Sequence, residues 1–209
     1  MLSKIRKAIR NPKLAIRWGI GQVTIFYYKT RAKISILLEG TTVEIGKNVR
    51  FMQRVVFDRT GKVIIGDNTS IGFKYGGSWY GSVCELQPRY PNSIIKLGNN
   101  VATNNNLQII AAKSVQIGDF CLIGNSVQII DSDGHGIKPN QRHSSIGKVA
   151  PVTIGKNVWI GNHVIILKGV TIGDNSIVAA GAVVTAGEYP SNSIIGGNPA
   201  KVLRTIRNQ

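Results

Sequence analysis

Acidic residues, cysteines and long apolar stretches are scarce in this chain. Ten Asp and Glu stand against 26 Lys and Arg, which gives a formal net charge of +16 over 209 residues. The two cysteines, Cys84 and Cys121, provide no disulfide framework and indicate a reducing compartment. No apolar run is long enough to span a membrane, and no signal-peptide pattern opens the chain. We therefore expect a cytoplasmic protein.

The positive charge is concentrated near the N-terminus. Nine basic residues and no acid lie in this stretch: Lys4, Arg6, Lys7, Arg10, Lys13, Arg17, Lys29, Arg31 and Lys33. Such an excess is compatible with nucleic acid, an anionic membrane or an anionic small ligand. No recognised nucleic-acid-binding motif accompanies it, so nucleic acid is not an expected partner.

Residues 1–40 form a basic segment that we predict to be helical, in two pieces. Leu2, Ile5 and Ile9 recur at helical spacing, and Asn11 followed by Pro12 resembles an N-cap that starts a second helix. One interpretation places this helix over the open end of the following domain, where unpaired strand edges would be exposed. The other places its basic amphipathic face on an anionic membrane.

An aliphatic residue returns at every sixth position in the C-terminal half. The series is Ile154, Ile160, Ile166, Ile172, Val178 and Val184, and small or aliphatic residues stand four places after these. No helix or ordinary strand has this period, which is typical of a parallel β-helix of hexapeptide repeats. Three hexads make one coil of about 18 residues, and stacked coils bury one column of side chains. Glycine and asparagine after the inward residue suit corners that need a positive φ.

Hexads extend back to Ile45 and define a domain over residues 41–190. Two loops interrupt it, at residues 73–93 and 131–152, and residues 191–209 form a C-terminal tail. The first loop carries Tyr75, Trp79, Tyr80 and Tyr90, which either form a platform for a sugar or pin the loop to the wall. The second is polar and contains two of the three histidines, so we expect the chemistry there.

The motifs VTIGKNVWIGNHVIILKGVTIGDNSIVAAGAVVT and GGNPAKVLR resemble the left-handed β-helix acyltransferases, in the branch of galactoside, maltose and polysaccharide O-acetyltransferases. The resemblance implies an all-β solenoid, a left-handed parallel β-helix of hexapeptide repeats with an N-terminal α-helical segment and two loop insertions. It also implies a homotrimer with sites between subunits, acetyl-CoA as acyl donor, no metal, and a carbohydrate acceptor, most simply in bacterial surface polysaccharide biosynthesis.

The resemblance assigns roles to individual residues of the acceptor site. His135 matches the essential histidine and would act as the general base. We also expect Asp131 and Asp133 at the acceptor site, where either could hold the other ring nitrogen of His135. Asn105 matches an asparagine that helps to place the acceptor. The neighbouring acceptor-binding Tyr and Asp positions of the family are Thr103 and Lys113 here, so a different acceptor from a simple galactoside is expected.

The donor site is assigned on the same basis to the C-terminal half. The matching coenzyme A-binding residues are Trp159, Asn162, Ala180, Gly181, Thr185, Pro199, Lys201 and Arg204. Exposed backbone at Ala180 and Gly181 would bind the pantetheine amides, and the two cations would bind phosphates. A lysine common after the Thr185 position is Ala186 in this chain.

Three other functions remain as alternatives. An N-acyltransferase acting on an amino sugar or antibiotic would use the same base and donor groove. A γ-type carbonic anhydrase shares the solenoid and needs three histidines, but His135, His143 and His163 lack the close pair of ligands on one turn that it uses. A non-catalytic scaffold predicts that His135 is dispensable.

Overall fold

A computed structural model describes residues 12–79 and 81–207. One long helix, α1 (Pro12–Glu39), precedes all of the strands. The predicted second helical piece is therefore confirmed from Pro12 onward, whereas the first piece and the Asn11 cap lie outside the described residues. Among the described residues, no helix is both long and apolar enough to cross a membrane.

The remainder is a triangular prism of three sheets, whose strands are parallel except for the last strand of one sheet. Sheet A contains β1 (Thr42–Ile45), β4 (Lys62–Ile65), β7 (Ile94–Leu97), β10 (Ser114–Ile117), β13 (Val152–Ile154), β16 (Val170–Ile172) and β19 (Gly187–Tyr189). Sheet B contains β2 (Arg50–Phe51), β5 (Ser70–Ile71), β8 (Ala102–Thr103), β11 (Leu122–Ile123), β14 (Trp159–Ile160), β17 (Ile177–Val178), β20 (Ser193–Gly197) and β21 (Ala200–Thr205). Sheet C contains β3 (Arg54–Phe57), β6 (Val83–Pro88), β9 (Gln108–Ala111), β12 (Gln128–Ile130), β15 (Ile165–Ile166) and β18 (Val183–Val184). The predicted left-handed β-helix of hexapeptide repeats is confirmed.

Two positions of each hexad point into the prism, and the first of them pairs with its counterpart in the next coil. Ile154 lies opposite Ile172, which confirms the coil of 18 residues in this region. Earlier coils are longer, since Leu97 lies opposite Ile117, and the extra residues account for the phase shifts in the sequence. All six aliphatic residues of the C-terminal series are at most 2% exposed. Ile45 is 38% exposed because β1 is the end strand of sheet A.

Asparagine and glycine have different tasks at the corner between sheets A and B. A positive φ between 53° and 61° recurs in this column at Asn48, Asn68, Asn100, Phe120, Asn157, Asn175 and Asn192. The preceding glycines do not share that conformation. They are needed because the coils approach closely: a Cβ on Gly118 would lie 2.6 Å from the carbonyl oxygen of Gly155.

Two predicted boundaries are wrong. The loop assigned to residues 73–93 contains β6, in which Cys84, Leu86 and Pro88 point inward and alternate with partly exposed residues. This strand was hidden because Glu85 and Gln87, on its outer side, are polar and two prolines lie close by. The tail assigned to residues 191–209 begins with β20, which continues sheet B before β21 folds back antiparallel to it.

Helix α1 covers the open end of the solenoid over sheet C. Its buried residue Ala32 and its partly buried residues Tyr28 and Ile36 pack on the core. The Ser35 hydroxyl accepts a hydrogen bond from the Phe57 N–H, at 3.2 Å, and also contacts the Phe57 carbonyl. Because β3 is the end strand of sheet C, this contact satisfies part of an otherwise unpaired edge. The capping interpretation is confirmed for this part of the helix.

Both cysteines are buried. Burial raises the pKa of both thiols, so neither is a reactive thiolate. In the first loop, the Trp79 indole N–H donates to the Met52 carbonyl at 2.8 Å, which pins the loop to the wall. Tyr75 is 77% exposed and makes no such anchor.

A pair of neighbouring isoleucines tests the inward column. Ile65 is 1% exposed, whereas the adjacent Ile64 points to the outer side of the same strand. Ile65→Ala should lower the free energy of unfolding by about 2–5 kcal/mol, because it leaves a cavity among close-packed coils. Ile64→Ala is the matched control and should cost clearly less in urea unfolding at equal protein concentration. Equal losses would contradict the inward assignment.

Candidate functional site

The second loop leaves the solenoid at the corner between sheets C and A, and Asp131 fixes its root. This carboxylate is fully buried and accepts hydrogen bonds from the N–H groups of Ala112, Lys113 and Ser114 at 2.6–2.8 Å. Burial raises its pKa, and these three bonds partly offset the effect. The prediction that Asp131 contacts the acceptor or His135 is wrong, because its oxygens are engaged in closing the corner of the coil below.

Asp133 holds the two arms of the loop together. Its carboxylate accepts the Lys148 N–H at 2.9 Å and forms an ion pair with Lys168 on the solenoid. The hydrogen bond from Lys168 is the main cause that lowers the pKa of Asp133. Asp133 therefore positions the loop and does not hold the His135 ring, contrary to one of the predicted roles. Sequence reasoning missed Lys168, since nothing in its own hexad distinguishes it.

His135 lies exposed beyond this anchor, with its ring held by the loop itself. Its Nδ1 is 2.9 Å from the carbonyl oxygen of Arg142. A carbonyl oxygen can only accept, so Nδ1 carries the proton, and Nε2 of the neutral ring has a free lone pair. Within the described residues, no hydrogen bond engages Nε2. The backbone thus provides the orientation that the sequence assigned to an aspartate.

A second group of site residues lies on the outer face of sheet B. Here a cavity of about 420 Å³ is lined by Arg50, Phe73, Asn104, Trp159 and Asn162, among others. Trp159 is 54% exposed and points outward from β14. Large apolar surface with a few polar groups is typical of a binding site for a small organic molecule.

Asn105 does not line this cavity. It is fully buried, its Oδ1 accepts the Phe73 N–H, and its Nδ2 donates to the carbonyls of Phe73 and Gly77, all at 2.9 Å. The predicted contact of Asn105 with the acceptor is therefore wrong, because its amide is used to fasten the first loop. Its neighbour Asn104 is partly exposed and lines the cavity. Two adjacent asparagines cannot be ranked by sequence alone, since the corner geometry decides which one faces outward.

Most of the predicted donor residues share this face. Asn162 and, one coil further, Ala180 and Gly181 occupy the corner between sheets B and C, where the Gly181 N–H donates to the Asn162 carbonyl at 2.9 Å. Pro199, Lys201 and Arg204 are exposed on the turn and on β21 at the end of the same sheet. Parallel strands are about 4.8 Å apart, so Arg204 lies three strands, about 14 Å, from Trp159.

The remaining predicted residues lie elsewhere on the prism. Thr185 follows β18 and therefore occupies the corner between sheets C and A, as does the loop that carries His135. Beside that loop, Asp133 and Lys168 line a second cavity of about 360 Å³. All of sheet C separates this corner from the Trp159 face. Within one chain, His135 therefore shares its corner with Thr185 and lies away from the predicted donor residues of sheet B.

The other two histidines are exposed beside the two groups of site residues. His143 is exposed in the loop, and His163 is exposed at the corner between sheets B and C, with a φ of 57°. Over residues 12–79 and 81–207, no group of three His, Cys, Asp or Glu side chains converges in a way that could hold a metal ion.

Comparison with known proteins places these features in context. Residues 151–186 match the family model for the bacterial transferase hexapeptide, described as six repeats. The galactoside O-acetyltransferase of Escherichia coli is 42% identical over 117 residues, which is 56% of this chain and 57% of that protein. The chain thus matches little more than half of the length of the curated relatives to which it is similar.

Solved structures share the fold over most of the chain. A galactoside acetyltransferase in complex with coenzyme A is 28% identical, with a TM-score of 0.55, and the match covers 90% of this chain and 79% of that one. A maltose O-acetyltransferase from Clostridium difficile is also 28% identical, with a TM-score of 0.55, over 87% of this chain and 77% of that one.

The anchor of the loop gives a prediction about pH. Because the folded-state pKa of Asp133 is lowered, this group stabilises the fold above the pKa of an unfolded aspartate, and the contribution is lost as pH falls through the folded-state value. Asp133→Asn should lower the free energy of unfolding by about 1–2 kcal/mol at pH 7, and the deficit should shrink as pH falls towards 3. Urea unfolding at several pH values measures this.

Lys168→Gln is the matched partner variant. It should cause a similar loss, and the double variant should lose clearly less than the sum, because both changes remove one interaction. A deficit that does not change with pH, or additive losses, would show that Asp133 does not act through this ion pair.

Proposed function

Because this chain is a left-handed β-helix of the hexapeptide-repeat type shared with bacterial acyltransferases, we propose that it is an acetyl-CoA-dependent O-acetyltransferase that acts on a sugar hydroxyl. The observation that carries this proposal is the His135 ring, whose Nδ1 proton is held by the Arg142 carbonyl and whose Nε2 is free to act as a base. The relatives named above support the donor and the class of acceptor.

The reaction is a direct transfer. His135 Nε2 removes the proton of the acceptor hydroxyl while that oxygen attacks the thioester carbonyl, which forms a tetrahedral intermediate. The intermediate then collapses, the carbon–sulfur bond breaks, and the imidazolium returns the proton to the departing thiolate. The Arg142 carbonyl stabilises the imidazolium through its hydrogen bond to Nδ1. No acyl-enzyme is needed.

The donor lies along sheet B. Its adenosine and phosphates lie against Pro199, Lys201 and Arg204, where the cations are exposed. Its pantetheine arm runs along the corner of Asn162, Ala180 and Gly181 towards Trp159. Arg204 offers paired donors to a phosphate, which a lysine cannot do.

The complete site requires a second copy of the chain. His135 and Thr185 lie at one corner of the prism and Trp159 lies on another face, so one subunit contributes the base and its neighbour the sheet B groove. Closed symmetry then gives a homotrimer with three equivalent sites. Asn104, rather than Asn105, contacts the acceptor from the sheet B side.

Two variants separate the base from the donor groove. His135→Ala should lower kcat about 10²–10⁴-fold and leave the Kd of acetyl-CoA unchanged, because only proton transfer is lost. Arg204→Ala should weaken acetyl-CoA binding roughly tenfold, because a charged hydrogen bond to a phosphate is removed. Calorimetry measures the Kd, and thiol release with a panel of sugars and amino sugars measures turnover.

The contrary results are specific. Full activity in His135→Ala would exclude His135 as the general base. Turnover with amino sugars alone would replace O-transfer by N-transfer. If acetyl-CoA does not bind to the wild-type protein, the transferase proposal fails.

The outward side of α1 supports peripheral contact with an anionic membrane, and hence a lipid-linked polysaccharide acceptor. At 100° per residue, the exposed apolar side chains of Val23, Phe26, Tyr27 and Leu37 lie opposite the face that packs on the solenoid. Ile34 and Leu38 are also exposed, and they line a cleft between α1 and β3. Lys29 and Lys33 flank the outward stripe on one side and Arg31 on the other. Apolar burial and attraction of these cations to anionic lipid act together on such a face.

Vesicle co-sedimentation tests this contact. The wild-type protein should bind vesicles containing phosphatidylglycerol at low salt, and the double variant Phe26→Asp, Leu37→Asp should lose binding without loss of thermal stability, since both residues are exposed. Phe120→Asp, at an exposed corner 58% accessible to solvent, is the control and should bind normally. Unchanged binding in the double variant would contradict the proposal.

A further inference from the structure

The sheet B cavity contains one charged side chain, that of Arg50. The other lining residues are apolar or carry amides and hydroxyls, and no acid is among them. Arg50 is exposed, and in the described part of the chain no acidic side chain pairs with it. A guanidinium that is free of internal partners and faces a concave surface is able to bind an anionic group of a ligand.

The register fixes the position of Arg50 along the groove. Outward residues of successive strands lie opposite one another in the order Arg50, Ser70, Ala102, Leu122 and Trp159. Arg50 is therefore two strands, or about 10 Å, from the coil that carries Asn104, and four strands, or about 19 Å, from Trp159. The first distance is about the size of a hexose ring with its substituent.

Arg50 is poorly placed to bind the donor. Lys201 and Arg204 lie at the opposite end of sheet B, and seven strand spacings, about 34 Å, separate Arg50 from Arg204. Two cations at that end already suit the phosphates of coenzyme A. The charge of Arg50 therefore faces the half of the groove beyond Trp159, where the acceptor lies in the proposed function.

We infer that the acceptor is an anionic saccharide, and that Arg50 binds its carboxylate or phosphate. This inference rests on the proposed function for the identity of the site. The sugar ring lies between Phe73, which is 51% exposed, and the amide of Asn104, so that one apolar ring face packs on an aromatic side chain. Arg50 selects among sugars by charge and takes no part in proton transfer.

Equilibrium binding of three probes tests the inference without turnover. The probes are methyl glucopyranoside, methyl glucopyranosiduronate and glucose 1-phosphate, measured by ligand-observed NMR on the full-length protein at low salt. The wild type should bind at least one anionic probe about tenfold more tightly than the neutral one, because a charged hydrogen bond is added. The preferred anion distinguishes a uronic acid from a sugar phosphate.

Arg50→Gln should abolish this preference and leave the affinity for the neutral glycoside unchanged. Arg54→Gln is the matched control, since Arg54 is an exposed arginine on β3, outside this cavity. Equal affinities for neutral and anionic probes in the wild type, binding of none of them, or an equal loss in Arg54→Gln would overturn the inference.

The two proposals fail in different ways. If anionic probes bind through Arg50 and no acetyl group is transferred, the transferase proposal fails while the anionic site stands. If a neutral sugar is acetylated through His135 and no charge preference is found, the transferase proposal stands and the anionic acceptor is excluded.

Discussion

Each strand of this protein must pair with the equivalent strand one coil later, and this constraint determines where every other feature can lie. The inward residue of one hexad rests on the inward residue of the next, as Ile154 does on Ile172. Extra residues cannot be accommodated within a strand without turning its inward residue outward. They therefore leave at corners, and both loops do so: residues 72–82 between sheets B and C, and residues 131–151 between sheets C and A.

Because the loops leave at corners, buried polar side chains there bind the backbone, whereas exposed ones are free to contact a ligand. Asp131 and Asn105 lie where loops meet the prism, and backbone groups that the loops leave unpaired occupy their side chains. Leaving a buried N–H without a hydrogen-bond partner lowers the stability of the fold. The side chains that satisfy these N–H groups are therefore not available to bind a ligand. His135 and Asn104 lie nearer to the surface than these buried residues, and their side chains remain accessible to solvent.

The same constraint keeps the two groups of candidate site residues apart within one chain. The three faces of the prism point in different directions. The corner with His135, between sheets C and A, and the sheet B face with Trp159 are therefore apart within one chain. In the proposed function, association of identical prisms side by side provides the missing half. Sheet B carries exposed arginines at both ends, and in our proposals Arg204 binds the donor, Arg50 binds the acceptor, and the reacting groups meet near Trp159.

The sequence by itself determined the solenoid, because the buried positions of successive hexads require aliphatic side chains and therefore repeat every six residues. Local motifs also singled out His135, Lys201 and Arg204, which the structure leaves exposed and whose roles stay predictions. The sequence failed at β6, where polar outer residues hid the inward Cys84 and Leu86, and at Asn105, Asp131 and Asp133. Only the tertiary structure decided those cases, because whether a polar side chain bonds backbone or faces a ligand depends on groups 15 to 32 residues away in the chain.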